Sequence, residues 1–333
     1  MAWKIIGEAD LEKEGLKPFS MVKFDADVAI IVPILNEEAT IVPLLESFEK
    51  LTLFPKEIIL VDGGSTDHTV EVMSRYLDEK KLPYAVQLMI LSHALPGRGR
   101  NEGIRKTQCP LIACTDAGGY VDPSWLEDLI SPFRSNPNCE MVIGNCKSHH
   151  TKNFFERCTF YVTIESPPRK QFIFLGGASI AFRRRLWEKV KGYPEHLYPC
   201  EDKAFLTKIK KRGFPVILSD RAVVYWKSRS TLWAFFKQYF LYGRGDGEGA
   251  FVRHRYLLRI LFYAALLVFS MEGKGPIAMT LLVGYLFLLS FKGWGTLKDL
   301  RVFLYLPLLF FVKDFSQLLG YFVGNFRRRH ETY

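Results

Sequence analysis

Short apolar runs alternate with amphipathic stretches along the first part of the chain. The β-branched run at 28–32 is closed by Pro33 and predicts a buried strand, and the run at 58–61 predicts a second strand. Apolar residues at helical spacing follow each run, and two more strands are predicted at 86–91 and 111–115. Strands that are apolar throughout and alternate with helices are typical of a mostly parallel sheet covered on both faces. In such sheets, ligands bind beyond the carboxyl ends of the strands.

The pattern is less regular in the stretch that follows. A helix is predicted over 203–212, and further strands are predicted at 172–175, 178–182, 216–218 and 223–226. No internal repeat or low-complexity linker appears in the sequence. We therefore predict that residues 1–250 form one α/β domain with two lobes and flanking helices.

Leu, Phe, Val and Tyr dominate the sequence from Tyr256 onward. The apolar segments 256–270 and 276–291 are separated by a polar turn, and each is a little short of the ~20 residues that span a bilayer. We predict a hairpin of membrane helices over 256–291, and hence a membrane region over 251–333. The alternative for this tail is a buried helical subdomain.

A third apolar segment, at 302–326, is long enough to span but contains Lys313, Asp314 and Gln317. A third full span would also place the basic residues 327–329 on the outer face, against the positive-inside tendency. We therefore expect a third helix here that either spans the membrane or lies along its surface.

The net charge of +10 is concentrated around the apolar region, with Arg253, Arg255 and Arg259 at its start. Basic clusters that flank apolar segments indicate contact with anionic lipid head groups more than with nucleic acid. The alternative is a solvated basic surface.

One feature predicts a cytoplasmic location for the first domain, and a second predicts that its cysteines are reduced. The first 20 residues lack the apolar stretch of a secretory signal. The six cysteines form no C-x-x-C pair and several lie in apolar runs, so reduced core thiols are expected. We thus predict a multi-pass membrane protein whose first domain faces the cytoplasm.

Acidic residues follow two of the predicted strands. Asp62 comes before a Gly-Gly-Ser-Thr-Asp turn, where it can accept hydrogen bonds from a base or ribose or simply cap the next helix. Asp116 can bind a divalent ion that bridges two phosphates. Because the residue two positions later is Gly118, such an ion would have one protein ligand, with phosphate and water completing its shell.

Three further segments carry candidate chemistry. Arg98 and Arg100 lie on a Gly-rich turn before a helix, and a guanidinium with a helix N-terminus can clamp a diphosphate. Asp202 follows Glu201 at a predicted helix start. It could serve as a general base toward an acceptor hydroxyl, or as the N-cap of the helix. The Gly-Gly-Ala segment at 176–178 leaves room for a substrate, or forms a β-bulge.

Six motifs in sequence order resemble those of family 2 glycosyltransferases. They are V-P-I-L-N-E-E at 32–38, V-D-G-G-S-T-D at 61–67, R-G-R-N-E-G at 98–103, T-D-A-G at 115–118, G-G-A at 176–178 and E-D at 201–202. The resemblance covers roughly residues 28–245. It implies a GT-A fold, a nucleotide-diphosphate sugar donor and usually Mg²⁺ or Mn²⁺.

The resemblance also implies roles for single residues. Asp116 would be the first acid of the family's Asp-x-Asp motif and a metal ligand, and Asp202 would be the catalytic base of an inverting transfer. Donor binding is expected at Pro33, Glu37, Asp62, Arg100, Asp116 and Arg244. Acceptor binding is expected at Gly176, Gly177 and Glu201.

The sequence lacks the Gln-x-x-Arg-Trp motif of processive synthases, which favours transfer of a single sugar. The apolar tail favours a lipid-linked acceptor, either a polyprenyl phosphate or a lipid-linked oligosaccharide. An alternative is a membrane-bound protein that binds nucleotide sugars without transferring them. A nucleotidyltransferase is a weaker alternative, because residues 33–38 contain neither Gly nor a basic residue.

Overall fold

The structure is a computed structural model that describes residues 5–6, 26–149, 151, 153–165 and 177–327. The chain divides into two compact units. The first lies within Met1–His149 and Phe172–Lys227, and the second within His150–Gln171 and Ser228–Tyr333.

The first unit is built on one mixed sheet. Its described strands are β1 (Ile5–Ile6), β2 (Ala26–Ile34), β3 (Pro55–Asp62), β4 (Ala85–Ile90), β5 (Leu111–Cys114), β6 (Gly119–Val121), β7 (Met141–Ser148), β8 (Ile180–Arg183) and β9 (Val216–Trp226). Their spatial order is β1-β9-β7-β8-β5-β2-β3-β4, with β6 paired to β9. The four strands β4, β3, β2 and β5 are mutually parallel, as predicted.

Helices cover both faces of this sheet, because side chains alternate between the faces along each strand. Val28, Ile30 and Val32 of β2 belong to one apolar cluster, whereas Ala29 and Ile31 belong to another. The described helices of this unit are α1 (Ile41–Glu49), α2 (Thr69–Glu79), α3 (Pro96–Lys106), α4 (Trp125–Ser135), α6 (Arg184–Lys189) and α7 (Glu201–Lys211).

The middle of the sheet differs from the simplest parallel pattern. Strand β8 runs antiparallel to both β5 and β7, and the strands predicted at 216–218 and 223–226 are one strand, β9. Strand β7 was not predicted because Gly144 and polar residues interrupt its apolar run. A Cβ at Gly144 would overlap the Ser179 hydroxyl and the Ala222 carbonyl, so the glycine permits close packing. The strand predicted at 172–175 lies outside the described residues.

The second unit is helical among its described residues. It contains α5 (Phe154–Phe160), a π-helical turn (Tyr161–Glu165), α8 (Leu232–Glu248), α9 (Arg253–Met271), α10 (Gly275–Leu297) and α11 (Val302–Phe326). Helices α9, α10 and α11 are long and apolar enough to cross a membrane. They expose large apolar side chains, such as Leu258 at 65%, Leu288 at 71% and Leu304 at 73%. Exposed apolar side chains on this scale favour a surface that lies in a membrane or against a partner, and the membrane region over 251–333 stays a prediction.

The charged residues of α11 are paired inside the helical unit. Asp314 lies 3.1 Å from the Nε atom of Arg259, and it accepts hydrogen bonds from Tyr263 at 3.2 Å and Tyr285 at 2.9 Å. Arg259 also donates to Gln317 at 3.0 Å. Polar residues within apolar helices are stabilised by such mutual contacts, so they are compatible with a membrane location.

Glycines bring α8 and α11 into backbone contact. Gly243 and Gly247 on α8 and Gly320 and Gly324 on α11 each have a four-residue spacing. A Cβ at Gly320 would overlap the carbonyl oxygen of Phe240, and the other three would also overlap backbone atoms of the opposite helix. This is the close approach that small-xxx-small patterns allow.

We expect Gly320→Ala to lower the stability of the second unit by about 1–3 kcal/mol, because the added methyl group must push the two backbones apart. Thermal unfolding of the detergent-solubilised protein, followed by circular dichroism, measures this effect. Gly284→Ala in α10 is the matched control, since its Cβ would have no neighbour within 4 Å among the described residues. Equal melting temperatures for the two variants would contradict the close contact.

Candidate active site

A buried arginine connects the end of β5 with the start of α7. The side chain of Arg100, on α3, is 2% exposed. Its Nη2 lies 2.5 Å from Oδ1 of Asp116, and its Nη1 lies 2.6 Å from Oε1 of Glu201. Burial alone would lower the pKa of Arg100, but the two carboxylates raise it well above its usual value. Arg100 therefore remains charged and holds both acidic residues in place.

Three charged side chains meet at the bare backbone of Gly177. A Cβ at this position would lie 3.1 Å from Nη2 of Arg100, 3.2 Å from Oδ2 of Asp202 and 3.4 Å from Oδ2 of Asp116. These residues come from α3, α7 and the loop after β5. The predicted residues Arg100, Asp116, Gly177, Glu201 and Asp202 are thus brought together by the fold.

Asp202 has the proton affinity that a general base needs near neutral pH. Burial raises the pKa of its carboxyl, the charge of Glu201 raises it further, and Arg100 opposes both effects, so that it reaches about 7. Its Oδ1 accepts a hydrogen bond from the backbone N–H of Lys203 at 2.6 Å, and Oδ2 faces Gly177. A carboxyl with a pKa near the working pH can accept and release a proton during turnover.

Asp62 is fully buried at the end of β3, and its carboxylate organises the turn that follows. It accepts hydrogen bonds from the backbone N–H groups of Gly64 and Ser65, both at 2.9 Å, and from the Ser65 hydroxyl at 2.5 Å. Gly64 has a φ of +95°, which a side chain would disfavour. The proposed contact between Asp62 and a nucleoside stays a prediction.

The loops after β2 and β3 are joined to each other. The Asn36 N–H donates to the Ser65 hydroxyl at 2.8 Å, and the Thr66 N–H donates to the Asn36 side chain at 2.8 Å. The Glu37 N–H donates to the hydroxyl of Thr69 at 2.8 Å. This pairing holds the segment that contains Glu37 at the carboxyl end of the sheet.

Pro33 lies beside the helix that carries Arg100. A Cβ at Gly99 would lie 3.4 Å from the Cβ of Pro33 and 3.7 Å from the side chain of Val61. The lack of a side chain at Gly99 therefore lets the first turn of α3 approach the ends of β2 and β3. Pro33 therefore lies next to the residue that precedes Arg100.

Asn101 was not singled out by the sequence. Its Oδ1 accepts hydrogen bonds from the Trp187 indole at 2.9 Å and from the Tyr193 N–H at 3.0 Å, while its Nδ2 donates to the Tyr193 carbonyl at 2.9 Å. The Tyr193 ring lies 5.4 Å from the guanidinium of Arg100 and stacks on Phe205 at 4.0 Å. These partners are about 90 residues away in sequence, so local patterns do not reveal the contacts. The only sequence signal for a role of Asn101 is its position next to Arg100.

Two predicted residues are not part of this arrangement as described. Gly176 lies outside the described residues. Arg244 belongs to α8 of the second unit, where its Nε lies 3.6 Å from Oε1 of Glu248. Their assignments to acceptor and donor binding stay predictions.

Residues 29–188 match the family model described as Glycosyl transferase family 2. The chain carries a glycosyl transferase family 2 domain. The match includes the predicted residues Arg100 and Asp116, whereas Glu201 and Asp202 lie beyond its end.

Several relatives are glycosyltransferases or biosynthetic proteins. The O-antigen chain rhamnosyltransferase RfbN of Salmonella typhimurium is 26% identical over 227 residues, which is 64% of this chain and 70% of the relative. The succinoglycan biosynthesis protein ExoA of Rhizobium meliloti is 25% identical over 244 residues, or 68% and 70% of the two chains. The match to the poly(ribitol-phosphate) β-N-acetylglucosaminyltransferase TarS of Staphylococcus aureus is 26% identical over 62% of this chain but spans only 35% of that protein.

A solved structure shares the architecture of this family 2 chain. The mannosyltransferase PcManGT of Pyrobaculum calidifontis, solved with GDP-Man and Mn²⁺, aligns with a TM-score of 0.56 at 18% identity. The alignment covers 95% of this chain and 92% of that one. The predicted GT-A fold with a mostly parallel sheet is confirmed, and the family 2 match supports glycosyl transfer as the reaction class of the chain.

The metal-binding side chains available in the family 2 domain fit an ion that is coordinated jointly by the protein and a bound ligand. Among the described residues, no group of three or more His, Cys, Asp or Glu side chains is placed to hold an ion alone. Asp116 is 40% exposed, and its Oδ2 faces Gly177, whereas its Oδ1 contacts Arg100. Mg²⁺ commonly binds through one or two carboxylates together with substrate phosphates and water. Asp116 fits that mode.

Proposed function

We propose that this chain is an inverting glycosyltransferase that moves a single sugar from a nucleotide-diphosphate sugar to a lipid-linked acceptor at the cytoplasmic face of a membrane. The acceptor would be a polyprenyl phosphate or a lipid-linked oligosaccharide. The convergence of Arg100, Asp116 and Asp202 on Gly177, with a carboxyl of raised pKa among them, is the observation that carries the proposal.

In the proposed reaction, Asp202 accepts the proton of the acceptor hydroxyl. The acceptor oxygen then forms a bond to the anomeric carbon, while the bond between that carbon and the diphosphate oxygen breaks. Attack from the face opposite the diphosphate inverts the anomeric configuration. The nucleoside diphosphate leaves with the electron pair, and the proton remains on Asp202 until solvent removes it.

The remaining residues bind and orient the donor. A divalent ion, when bound, would supply positive charge to the departing diphosphate, and Asp116 would hold it. Arg100 fixes the positions of Asp116 and of the start of α7 relative to each other, and it presents positive charge to the donor. Donor contacts are proposed for Pro33, Glu37, Asp62, Arg100 and Arg244, and acceptor contacts for Gly176, Gly177 and Glu201.

The lipid-linked acceptor and the membrane location rest on the second unit. Its helices α9, α10 and α11 expose apolar side chains that water would not solvate favourably. The names of RfbN and ExoA refer to the O-antigen chain and to succinoglycan, and we propose that this chain also acts in the assembly of a surface glycan.

Transfer of label to lipid tests this function. Membranes from cells that overproduce the chain would be incubated with Mn²⁺ and a panel of radiolabelled nucleotide sugars, with membranes from cells carrying empty vector as the control. We expect one donor to give labelled product in the organic extract. Donor binding without labelled product would instead support the second candidate, a protein that binds nucleotide sugars without transferring them. This candidate is motivated by Gly118, which stands in place of a second acid.

A further inference from the structure

The missing side chain at Gly118 leaves a space with polar walls. A Cβ at this position would lie 3.3 Å from the indole Nε1 of Trp226 and 3.8 Å from Oε1 of Glu37. Gly118 does not have the positive φ that would demand glycine for backbone reasons. The glycine therefore provides room rather than a special backbone conformation.

The sheet fixes Trp226 beside this space. Trp226 ends β9 and pairs with Gly119 of β6, directly after Gly118. The loop hydrogen bonds described above hold the backbone of Glu37, and its Oε2 accepts a hydrogen bond from the Thr40 hydroxyl, while Oε1 lies nearer the space. Both side chains are thus positioned by strands and loops of the first unit beside Gly118, which lies two residues after the proposed metal ligand Asp116.

The indole N–H of Trp226 points toward the space and donates to no other residue that the structure describes. The side chain is half-buried, so this donor is partly removed from water. A partly buried donor gains free energy from an acceptor, especially from a charged one. The space consequently has both a hydrogen-bond donor and a carboxylate oxygen within 4 Å of the position of the missing Cβ.

A nucleoside diphosphate complements both walls. Its phosphate oxygens accept hydrogen bonds, and its ribose hydroxyls donate them. We propose that Trp226 recognises the sugar donor by donating its indole N–H to a diphosphate oxygen in the space left by Gly118, while Glu37 accepts a hydrogen bond from a hydroxyl of the same ligand. This inference rests on the proposed function, because it takes the nucleotide sugar as the ligand of the site.

The contact has a consequence for metal dependence. The indole N–H needs no cation to bind a phosphate oxygen, so part of the affinity for the donor persists when divalent ions are removed. Removing the N–H should therefore weaken donor binding both with and without metal.

The test compares Trp226→Phe, which keeps a ring but removes the N–H, with the wild-type chain. Full-length protein in detergent would be titrated calorimetrically with UDP, GDP and dTDP, once with Mn²⁺ and once with EDTA. We expect the Kd of the nucleotide that binds to rise about tenfold in both conditions. Trp233→Phe is the matched control, because Trp233 is 71% exposed in the second unit, and its Kd should not change.

The outcomes separate the two proposals. Binding to the wild-type chain with an unchanged Kd in Trp226→Phe overturns the role of Trp226 alone. A wild-type chain that binds none of the three nucleotides overturns the donor step of the proposed function and this inference with it. If Trp226→Phe does not fold, the same titrations with Gly118→Ala test the proposal instead. The added methyl group would occupy the space, 3.3 Å from the indole nitrogen. A tenfold rise in Kd supports the proposal, and an unchanged Kd overturns it.

Discussion

Replacing Asp202 with Asn is expected to slow sugar transfer by about 10²- to 10⁴-fold while leaving nucleotide binding nearly unchanged, because an amide cannot accept the acceptor's proton. Transfer rates to a lipid acceptor and nucleotide titrations measure the two effects separately. The matched control is Asp27→Asn in the same unit, since Asp27 is exposed and pairs only with Lys56, at 2.9 Å, among the described residues. Normal turnover in Asp202→Asn would remove Asp202 from the role of base.

The raised pKa of Asp202 also predicts how activity depends on pH. Because the base must be ionised, transfer by the wild-type chain should fall as the pH decreases through about 7. An Asp without such surroundings would lose activity only near its ordinary pKa of 3.8. A pH–rate profile with an acidic limb near pH 4 would contradict the burial of this carboxyl.

The raised pKa of Asp202 also makes the stability of the fold depend on pH, but stability falls with rising pH whereas activity increases. The folded state binds the proton of Asp202 more tightly than the unfolded chain, so the resulting stabilisation is present at low pH and is lost as the pH rises from 3.8 to about 7. Relative to Asp202→Asn, the free energy of unfolding of the wild-type chain should therefore decrease across this window.

Replacing Arg100 with Met is expected to destabilise the first unit by about 3–5 kcal/mol, because it leaves Asp116 and the nearly buried Glu201 without their counter-charge. Thermal unfolding of the detergent-solubilised chain measures the loss, and transfer activity should disappear with it. The additional change Glu201→Gln should recover part of the stability, since it removes one of the two uncompensated charges.

Arg105→Met is the matched control for this effect. Arg105 lies on the same helix but is 49% exposed, and it contacts Glu102 and Glu195 at the surface. Exposed pairs of this kind contribute up to about 1 kcal/mol. A similar loss in Arg100→Met and Arg105→Met would show that the bridge between Asp116 and Glu201 has little energetic importance.

The parallel half of the sheet and the strand-end position of Asp116 could be predicted from sequence. Runs such as 28–32 are apolar throughout, and their burial on both faces follows from that pattern. The antiparallel strand β8 could not be oriented in this way, because a short apolar run carries no information about its direction.

The internal contacts of the site could not be predicted in the same way. The carboxylate of Glu201 holds Arg100, 101 residues earlier in the chain, and no local pattern indicates this pairing. The contacts of Asn101 with Tyr193 and of Trp226 with the space at Gly118 also join distant segments. Local periodicity describes neighbours within one element, so pairings of this kind become visible only when the elements are packed.

The pair formed by Arg259 and Asp314 constrains how the tail can enter a lipid bilayer. A lone Asp at the centre of a membrane helix costs about 2.5–3.5 kcal/mol on insertion scales, and a lone Arg costs about as much. In α11 and α9 these two residues neutralise each other at 3.1 Å. In the proposed membrane location, each helix would insert less favourably by itself than when it is paired with the other. We therefore expect α9 to stay near the exit of the insertion machinery until α11 has been synthesised. A ribosome stalled before Asp314 should leave a nascent chain whose first apolar helix is still extractable from the membrane.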